Sequence, residues 1–312
     1  MSNYPDIGGP GPAELPALAG LLEQLQQRHN HALDCILLYG SCLRNGDIFD
    51  GLLDLYLICE DYSSAYNKGA LAAFNWLLPP NVFYAQIDHE GQILRSKVTV
   101  ISRHDFRRGC SRQWFQSYIW GRFAQPTRII YSRNEEVQSD VEASLLQAVQ
   151  TLLNCTLPSL PEQGSLKDLW SGALNLSYAT ELRSERNHRA AELADAFQEF
   201  YADVTRQQAD SLAFPLTVYD ENNELHYRSR IPADRRRSAG IAWSARRAQG
   251  KLLSVLRLIK ALFTFESGLD YIAWKLQRHT GQNIAIPDKV RRYPLIFMWG
   301  FFWTLYRRGL FK

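Results

Sequence analysis

The sequence predicts an α+β protein in which a small mixed sheet is followed by a larger helical region. Before Ser102, short and continuous apolar runs alternate with turn residues, which is the pattern of buried strands. After Ser102, apolar residues recur mainly at helical spacing. The 312 residues, 46% hydrophobic and 21% charged, suffice for a buried core and exclude disordered, collagen-like and multi-span membrane proteins.

The sheet region opens with a helix and two strands. Residues 18–27 have helical apolar spacing and form the first predicted helix. Residues 34–39 (DCILLY) and 52–59 (LLDLYLIC) are too continuously apolar for half-exposed strands. We therefore expect these two strands to be buried neighbours in one sheet, separated by Gly40-Ser41 and a polar stretch.

The sheet region continues with a helix and a hairpin. Residues 62–78 predict a helix that stops at Pro79-Pro80, because a proline cannot donate a backbone hydrogen bond. Residues 82–88 and 93–101 predict two further strands, which His89-Glu90-Gly91-Gln92 joins as a hairpin.

The second half of the chain is predicted to be mainly helical. Its expected helices cover residues 112–123, 135–153, 166–185, 189–208, 242–265 and 266–278. A polar and Arg-rich interval, residues 214–237, interrupts them. We interpret that interval as an insertion or a mobile loop.

Charge divides the chain in two. Residues 226–312 contain 18 Lys and Arg against 4 Asp and Glu, a net charge of +14, whereas the other residues carry a net charge of −11. A chain polarised in this way usually presents its basic part to nucleic acid or to a lipid surface. The alternative is that the basic side chains form solvated helix faces.

The C-terminal segment is apolar on every side of a helix. Residues 293–306 read YPLIFMWGFFWTLY, with Lys and Arg on both flanks. At about 1.5 Å per residue they would span about 21 Å, short of the roughly 30 Å hydrocarbon core of a bilayer. Such a segment is either a buried core helix or, because Trp, Tyr and cations bracket it, a helix lying at the membrane surface. We favour the membrane-surface interpretation.

The five cysteines favour a reducing compartment. They are scattered, odd in number and never spaced as C-x-x-C, which argues against a disulfide framework and against a structural zinc site.

The strongest chemical pattern is a Gly-Ser turn followed by an acid on the next strand. Gly40 permits close backbone approach to a triphosphate, and Ser41 with neighbouring backbone N–H groups can bind its oxygens. Asp54 lies inside a buried strand, where a carboxylate needs a partner or a metal; the alternative is an Asp at a solvated edge. Polymerase-β-like nucleotidyltransferases have this arrangement with two alternating acids, whereas Tyr56 stands here in place of the second acid.

Several further motifs follow in a fixed order between about residues 33 and 280. They are Tyr39-Gly40-Ser41, Asp54 between apolar neighbours, Leu78-Pro79-Pro80-Asn81-Val82, Lys97-Val98, Tyr118-x-x-Gly121-Arg122 with Pro126, and Leu176-Ser177-Tyr178 with Glu181 and Arg183. In this order the chain resembles the mitochondrial-type phosphatidate cytidylyltransferases, a branch of the polymerase-β-like nucleotidyltransferase superfamily.

The resemblance implies transfer of CMP from CTP to phosphatidic acid, with release of pyrophosphate and with Mg²⁺ as cofactor. The implied catalytic residues are Ser41, Asp54, Lys97 and Arg122. The implied nucleotide-binding residues are Gly40, Ser41, Lys97, Arg122, Tyr178 and Arg183. The implied metal ligand is Asp54, with Glu181 and Asp88 as candidates for a second ligand. Lys97 could instead be a solvated strand-edge lysine, and Arg122 a cation at a helix C-terminus.

The resemblance also sets the expected domain organisation. A lead and helix (1–30) precede a nucleotidyltransferase-like domain (31–133) and a helical domain (134–288), for which a winged-helix arrangement is one option. A basic and aromatic tail (289–312) would associate with the membrane. The expected partners are CTP, phosphatidic acid and an anionic membrane surface, without nucleic acid.

The expected location is peripheral, on the reducing side of a membrane: the cytoplasmic face in bacteria or the matrix face in mitochondria. Two alternatives remain open at the level of sequence. One is a nucleotidyltransferase that acts on RNA or a small molecule, and the other is an inactive, membrane-bound relative, which the missing second acid would explain.

Overall fold

The computed structural model describes residues 4–5, 7, 16–45, 47–49, 51–67, 69–182, 187–264 and 286–292, with six positions between 297 and 307. It confirms the α+β class. The first part is a five-stranded mixed sheet with the strand order β3-β4-β2-β1-β5. Its strands are Leu33–Tyr39 (β1), Leu53–Cys59 (β2), Asn81–His89 (β3), Gln92–Ser102 (β4) and Thr127–Ser132 (β5).

The two apolar strands occupy the middle of this sheet, as predicted. β1 pairs antiparallel with both β2 and β5, and β2 pairs in parallel with β4. Because both faces of β1 and β2 are covered, their side chains are almost all buried, which explains the continuous apolar runs. The β3–β4 hairpin is also as predicted, with positive φ at Glu90 and Gly91 in its turn.

Helices flank the sheet and build the second part of the molecule. They are Pro16–Arg28 (α1), Ser41–Asn45 (α2), Tyr62–Ala65 (α3), Gly69–Leu77 (α4), Arg103–Cys110 (α5), Trp120–Phe123 (α6), Glu135–Thr156 (α7), Leu166–Tyr178 (α8), Asn187–Ala196 (α9), Gln198–Gln208 (α10) and Ala233–Thr264 (α11). A further short helix, Asp288–Arg292, follows after a gap. The helix predicted at 266–278 and most of residues 293–312 lie outside the described residues.

Several predicted boundaries were wrong. The helix expected at 112–123 is present only as α6, and α5 and β5 were not predicted. α5 begins at a local signal, because the Ser102 side chain accepts a hydrogen bond from the Asp105 N–H. The predicted helices 62–78 and 189–208 are each divided in two.

The interval 214–237 is not a loop. It contains a hairpin of Leu216–Glu221 (β7) and Glu224–Ser229 (β8), and α11 begins within it. Asn222 and Asn223 both have positive φ, which two-residue hairpin turns of this kind require and Asn tolerates.

The helical region also contains a second, smaller sheet. Gln163–Ser165 (β6) pairs with β8, giving a three-stranded sheet with the order β6-β8-β7. The chain order is α7, β6, α8, α9 and α10, and then the β7–β8 hairpin. The winged-helix arrangement stays a prediction. One hydrophobic core joins this region to the sheet, through residues such as Tyr56, Trp120, Phe123 and Trp170.

Candidate active site

The candidate site begins at Asp54, near the start of β2. Asp54 is paired with Tyr39, the last residue of β1, so the Gly40-Ser41 turn lies directly beside it. Gly40 has a φ of 91°, and a Cβ added there would meet Asp54 Oδ2 at 2.8 Å. Glycine is required at this position both by its conformation and by the closeness of the carboxylate. The carboxylate therefore faces the turn, and its side chain is 27% exposed.

Lys97 stands opposite Asp54 on the neighbouring strand. The two residues are partners in the parallel pairing of β2 with β4, and Lys97 Nζ lies 3.8 Å from Asp54 Oδ1. Lys97 is only partly exposed. The turn, the acid and the lysine therefore lie side by side, at β1, β2 and β4, which are neighbouring strands of one sheet.

Arg122 lies on α6 and is buried against aromatic rings. Its guanidinium carbon is 4.3 Å from the centre of the Tyr118 ring and 5.8 Å from that of Tyr39, the pairing partner of Asp54. Nη2 donates to Glu181 Oε2 over 3.4 Å. Nη1 is buried with no hydrogen-bond partner among the described residues. A buried guanidinium with one unpaired nitrogen can accept an anionic ligand.

Close packing of two glycines fixes Glu181 beside Arg122. A Cβ at Gly121 would overlap Ser177 Oγ, and a Cβ at Gly250 would overlap the Thr180 carbonyl oxygen. The Thr180 hydroxyl also hydrogen-bonds Ser117 at 2.7 Å. The segment that ends in Glu181 is thus held between α6 and α11, which explains why two of the sequence motifs meet in space.

Sequence reasoning missed two basic residues of α11, Arg257 and Lys260. Arg257 lies 4.0 Å from the centre of the Tyr118 ring, on which Arg122 also stacks, and its Nε donates to the Pro79 carbonyl. Lys260 Nζ donates to the carbonyls of Leu78 and Pro80, the two neighbours of Pro79. The available signal was a pair of cations, three positions apart, within the apolar run LLSVLRLIKALF.

Cations dominate the electrostatics around Tyr118. Burial alone would raise the pKa of this phenol, but Arg122, Arg257 and Lys97 together lower it to about 8. Burial lowers the pKa of Arg257 and lowers that of Lys260 to about 7. The cationic cluster of Arg122, Arg257 and Lys97, beside Asp54, favours a ligand with several negative charges.

Comparison with known families agrees with this chemistry. A model of the family described as "Phosphatidate cytidylyltransferase, mitochondrial" matches residues 60–238, more than half of the chain. The chain belongs to this family. It is therefore a nucleotidyltransferase, and the resemblance seen in the sequence is confirmed. The match includes Lys97, Arg122, Tyr178 and Glu181, whereas Gly40, Ser41 and Asp54 precede it.

Other comparisons add less. A solved structure, the crystal structure of a nucleotidyltransferase-like protein from Exiguobacterium sibiricum, is similar with 13% identity and a TM-score of 0.25, over 77% of this chain and 79% of that one. No curated protein matches the chain. In the part of the chain that the structure describes, no helix has both the length and the apolarity needed to cross a bilayer.

The remaining predicted site residues of this cytidylyltransferase-family chain are Asp88, Tyr178 and Arg183. Asp88 is in the β3–β4 hairpin, where its Oδ1 accepts from the Gly91 N–H, and it is four strand positions, or about 13 Å, from Tyr84, the partner of Lys97. Tyr178 is buried in the core and its hydroxyl donates to Gln125. Arg183 falls outside the described residues.

The position of the missing second acid is sealed from solvent. Tyr56, two residues after Asp54, is fully buried and packs edge-on against Phe123 with ring centres 4.8 Å apart. Its hydroxyl is among the buried polar atoms without a partner in the described part of the chain. An ionised carboxylate would be costly to bury at this position. In this protein the position is occupied by the ring of Tyr56, which is part of the hydrophobic core.

The donor set at Asp54 suits Mg²⁺ bound jointly with a substrate. Within the described residues, no three His, Cys, Asp or Glu side chains converge as a metal site. Mg²⁺, however, is commonly held by one or two carboxylates together with substrate phosphates and water. Asp54 is partly exposed and faces the turn predicted to bind phosphate, so it can share an ion with a triphosphate. Glu181, engaged by Arg122, remains only a predicted second ligand.

Proposed function

We propose that this protein transfers CMP from CTP to phosphatidic acid in a Mg²⁺-dependent reaction at an anionic membrane surface. The observation that carries the proposal is the Asp54 carboxylate, which faces the Gly40-Ser41 turn beside Lys97. Family membership supports the two substrates. The cations on α6 and α11 support a polyanionic reaction centre.

In this proposal the turn holds the β- and γ-phosphates of CTP. Backbone N–H groups after Gly40 and the Ser41 hydroxyl donate to phosphate oxygens. Lys97 gives up its long contact with Asp54 and neutralises phosphate charge. Asp54 would hold Mg²⁺, which would supply charge neutralisation and polarise the α-phosphate.

The chemical step needs little proton transfer. A phosphate oxygen of phosphatidic acid attacks the α-phosphorus of CTP, the bond from that phosphorus to the β-phosphate oxygen breaks, and pyrophosphate leaves. The nucleophile is already anionic near neutral pH, so the main barrier is repulsion between two negatively charged groups. Arg122 and Arg257 reduce that repulsion, because both guanidiniums stack on Tyr118 beside the site.

The membrane part of the proposal rests on charge. The basic C-terminal region, with a net charge of +14 over residues 226–312, is attracted to anionic headgroups. The aromatic segment 293–306 would add apolar insertion. We accordingly propose a peripheral location on the reducing face of a membrane, where phosphatidic acid is presented.

The test is a reconstituted reaction with the full chain, Mg²⁺, labelled CTP and vesicles of phosphatidylcholine with phosphatidic acid. We expect equimolar pyrophosphate and CDP-diacylglycerol, loss of both after chelation of Mg²⁺, and much weaker use of ATP, GTP and UTP. Vesicles of phosphatidylcholine alone serve as the control.

Two results would overturn the proposal. CTP binding without any pyrophosphate release would indicate an inactive relative. Label transferred to RNA or to a soluble acceptor, but not to lipid, would indicate a different nucleotidyltransferase.

A further inference from the structure

Two neighbouring helices expose large apolar side chains beside the candidate site. At the end of α4, Trp76 is 73% and Leu77 is 72% exposed. On α11, Leu252 is 60% and Leu258 is 62% exposed. We call the following set the apolar patch: Trp76, Leu77, Leu252, Leu256, Leu258 and Ile259. A cluster of this kind on a water-exposed surface marks an interaction site.

The two halves of the apolar patch are joined through the basic residues of the site. Lys260 donates to the carbonyl of Leu78, which directly follows Leu77, and Arg257 donates to that of Pro79. The inward face of α11 therefore carries the site's cations, while the outward face carries the exposed leucines. The patch and the site's cations therefore lie on the same helical turns, within about one helix diameter (about 10 Å) of each other.

The charge around the apolar patch indicates what covers it. Residues 243–264 contain five basic residues and no acidic one. Lys251, next to Leu252, is exposed, and Arg247 is partly exposed. Apolar side chains rimmed by cations, with an indole among them, fit the boundary between headgroups and acyl chains of an anionic bilayer.

We infer that the apolar patch is a membrane-docking surface that inserts into the boundary layer of an anionic phospholipid bilayer. This inference rests on the proposed function and adds the surface through which the lipid is reached. Docking there brings the inward cations of α11 close to the headgroups, so a lipid phosphate reaches the site without leaving the bilayer. The surface is distinct from the C-terminal aromatic segment.

The first experiment measures whether Trp76 meets acyl chains. The full chain is mixed, without CTP, with vesicles of phosphatidylcholine and phosphatidic acid whose acyl chains carry bromine, which quenches indole fluorescence on contact. Trp76→Phe removes the fluorophore and keeps an apolar ring. We expect the wild type to lose more fluorescence than Trp76→Phe does, while both bind vesicles equally.

The second experiment removes apolar area at exposed positions. We expect the double variant Leu252→Gln/Leu256→Gln to bind vesicles at least about tenfold more weakly, because each leucine contributes burial free energy. The matched control is Ile93→Gln, an exposed apolar residue at the far end of the β3–β4 hairpin. Ile93→Gln should leave vesicle binding unchanged, and all variants should keep the melting temperature of the wild type.

Activity separates this inference from the proposed function. The double variant should turn over short-chain, monomeric phosphatidic acid as the wild type does and lose rate only on vesicles. If the wild type binds brominated vesicles through Trp76 but makes no CDP-diacylglycerol, the proposed function is wrong and the membrane-docking surface is still supported.

Three results would overturn the inference itself. One is equal quenching in the wild type and Trp76→Phe. Another is a wild-type dimer that Leu252→Gln/Leu256→Gln converts to monomer with vesicle binding unchanged, which would make the patch a protein interface. The last is Trp76 quenching only after deletion of residues 293–312, which would mean that the chain's own end covers the patch.

Discussion

Two buried arginines of this protein have similar surroundings and different partners. Arg122 is 6% and Arg246 is 9% exposed, and both guanidiniums lie over aromatic rings. Arg122 pairs with the carboxylate of Glu181 and keeps Nη1 buried without a partner in the described part of the chain. Arg246 donates instead to the Phe115 carbonyl at 2.9 Å and contacts the Cys155 sulfur.

We propose that this difference separates a guanidinium that maintains structure from one that binds a ligand. Arg246 ties α11 to the loop before α6 and to the end of α7, and its contacts are with neutral groups. Arg122 is placed beside Tyr39 and Tyr118, within the group that surrounds Asp54. Burial of an arginine is therefore not by itself a sign of function; an unpaired nitrogen near a second charged group is the more specific sign.

Within this comparison of the two arginines, the largest effect is expected for Arg122→Gln. Loss of a charge that stabilises the transition state should lower kcat/KM by about 100-fold to 1,000-fold. Steady-state kinetics on phosphatidic-acid vesicles measures this. Glu181→Gln is the paired variant, since it removes the other half of the ion pair and should cost much less. Equal losses in the two variants would mean that Arg122 acts only through the ion pair.

The next effect concerns the packing that positions Arg122. Gly121→Ala should lower the melting temperature and reduce kcat/KM, because the added Cβ overlaps Ser177. Ser177→Gly removes the overlapping atoms and should restore much of both losses in the double variant. Additive losses in this double-mutant cycle would contradict the packing explanation.

Arg246→Gln should affect stability and leave the chemistry intact. Loss of a buried hydrogen bond from a charged group should lower the free energy of unfolding by about 2 kcal/mol, measured by urea denaturation. The kcat of the folded fraction should stay within about threefold of the wild type. A loss of kcat as large as that of Arg122→Gln would remove the distinction between the two arginines.

The smallest effect is a pH dependence at Tyr118, the ring that Arg122 and Arg257 share. Burial would raise its pKa, but the cations lower it from 10.0 to about 8 in the folded protein. Ionisation of the folded protein above about pH 8 adds a negative charge beside the cations, so the KM for CTP should rise there. The pKa of Tyr118 is lower in the folded protein than in the unfolded chain. The stability that its ionisation adds is therefore complete above pH 10 and is lost as the pH falls through about 8.

Tyr118→Phe keeps the ring and removes the titrating group. Its KM for CTP should vary by no more than about twofold over the range in which that of the wild type rises. Tyrosinate absorbance of the wild type minus that of Tyr118→Phe should titrate at about pH 8. A parallel rise of KM in both proteins would assign the pH dependence to another group.

Much of the sheet and of its active-site edge was predictable from the sequence. Continuous apolar runs identified β1 and β2, and the Gly40-Ser41 turn and Asp54 then followed from their order in the chain. The structure adds the reason for Gly40, which is the closeness of the Asp54 carboxylate. Local pattern sufficed here because the relevant strands are adjacent in sequence.

The parts that could not be predicted depend on contacts between distant segments. Arg257 joins the site across 178 residues through the Pro79 carbonyl, a contact that no local pattern reveals. Asp88 was a candidate second ligand implied by the family resemblance, and the structure shows its side chain accepting a hydrogen bond within the adjacent turn. The β7–β8 hairpin within 214–237 was not predicted because its strands are polar and only partly buried.

The most direct test of the account is Asp54→Asn, with Asp88→Asn as the matched control. Because Asp54 faces the Gly40-Ser41 turn and Asp88 lies in the hairpin turn, we expect Asp54→Asn to abolish pyrophosphate release from CTP on phosphatidic-acid vesicles while keeping the wild-type melting temperature. Asp88→Asn should turn over like the wild type, since an asparagine can still accept the hydrogen bond of the hairpin turn. Undiminished turnover in Asp54→Asn, or equal loss in both variants, would contradict the claim that Asp54 is the centre of the reaction.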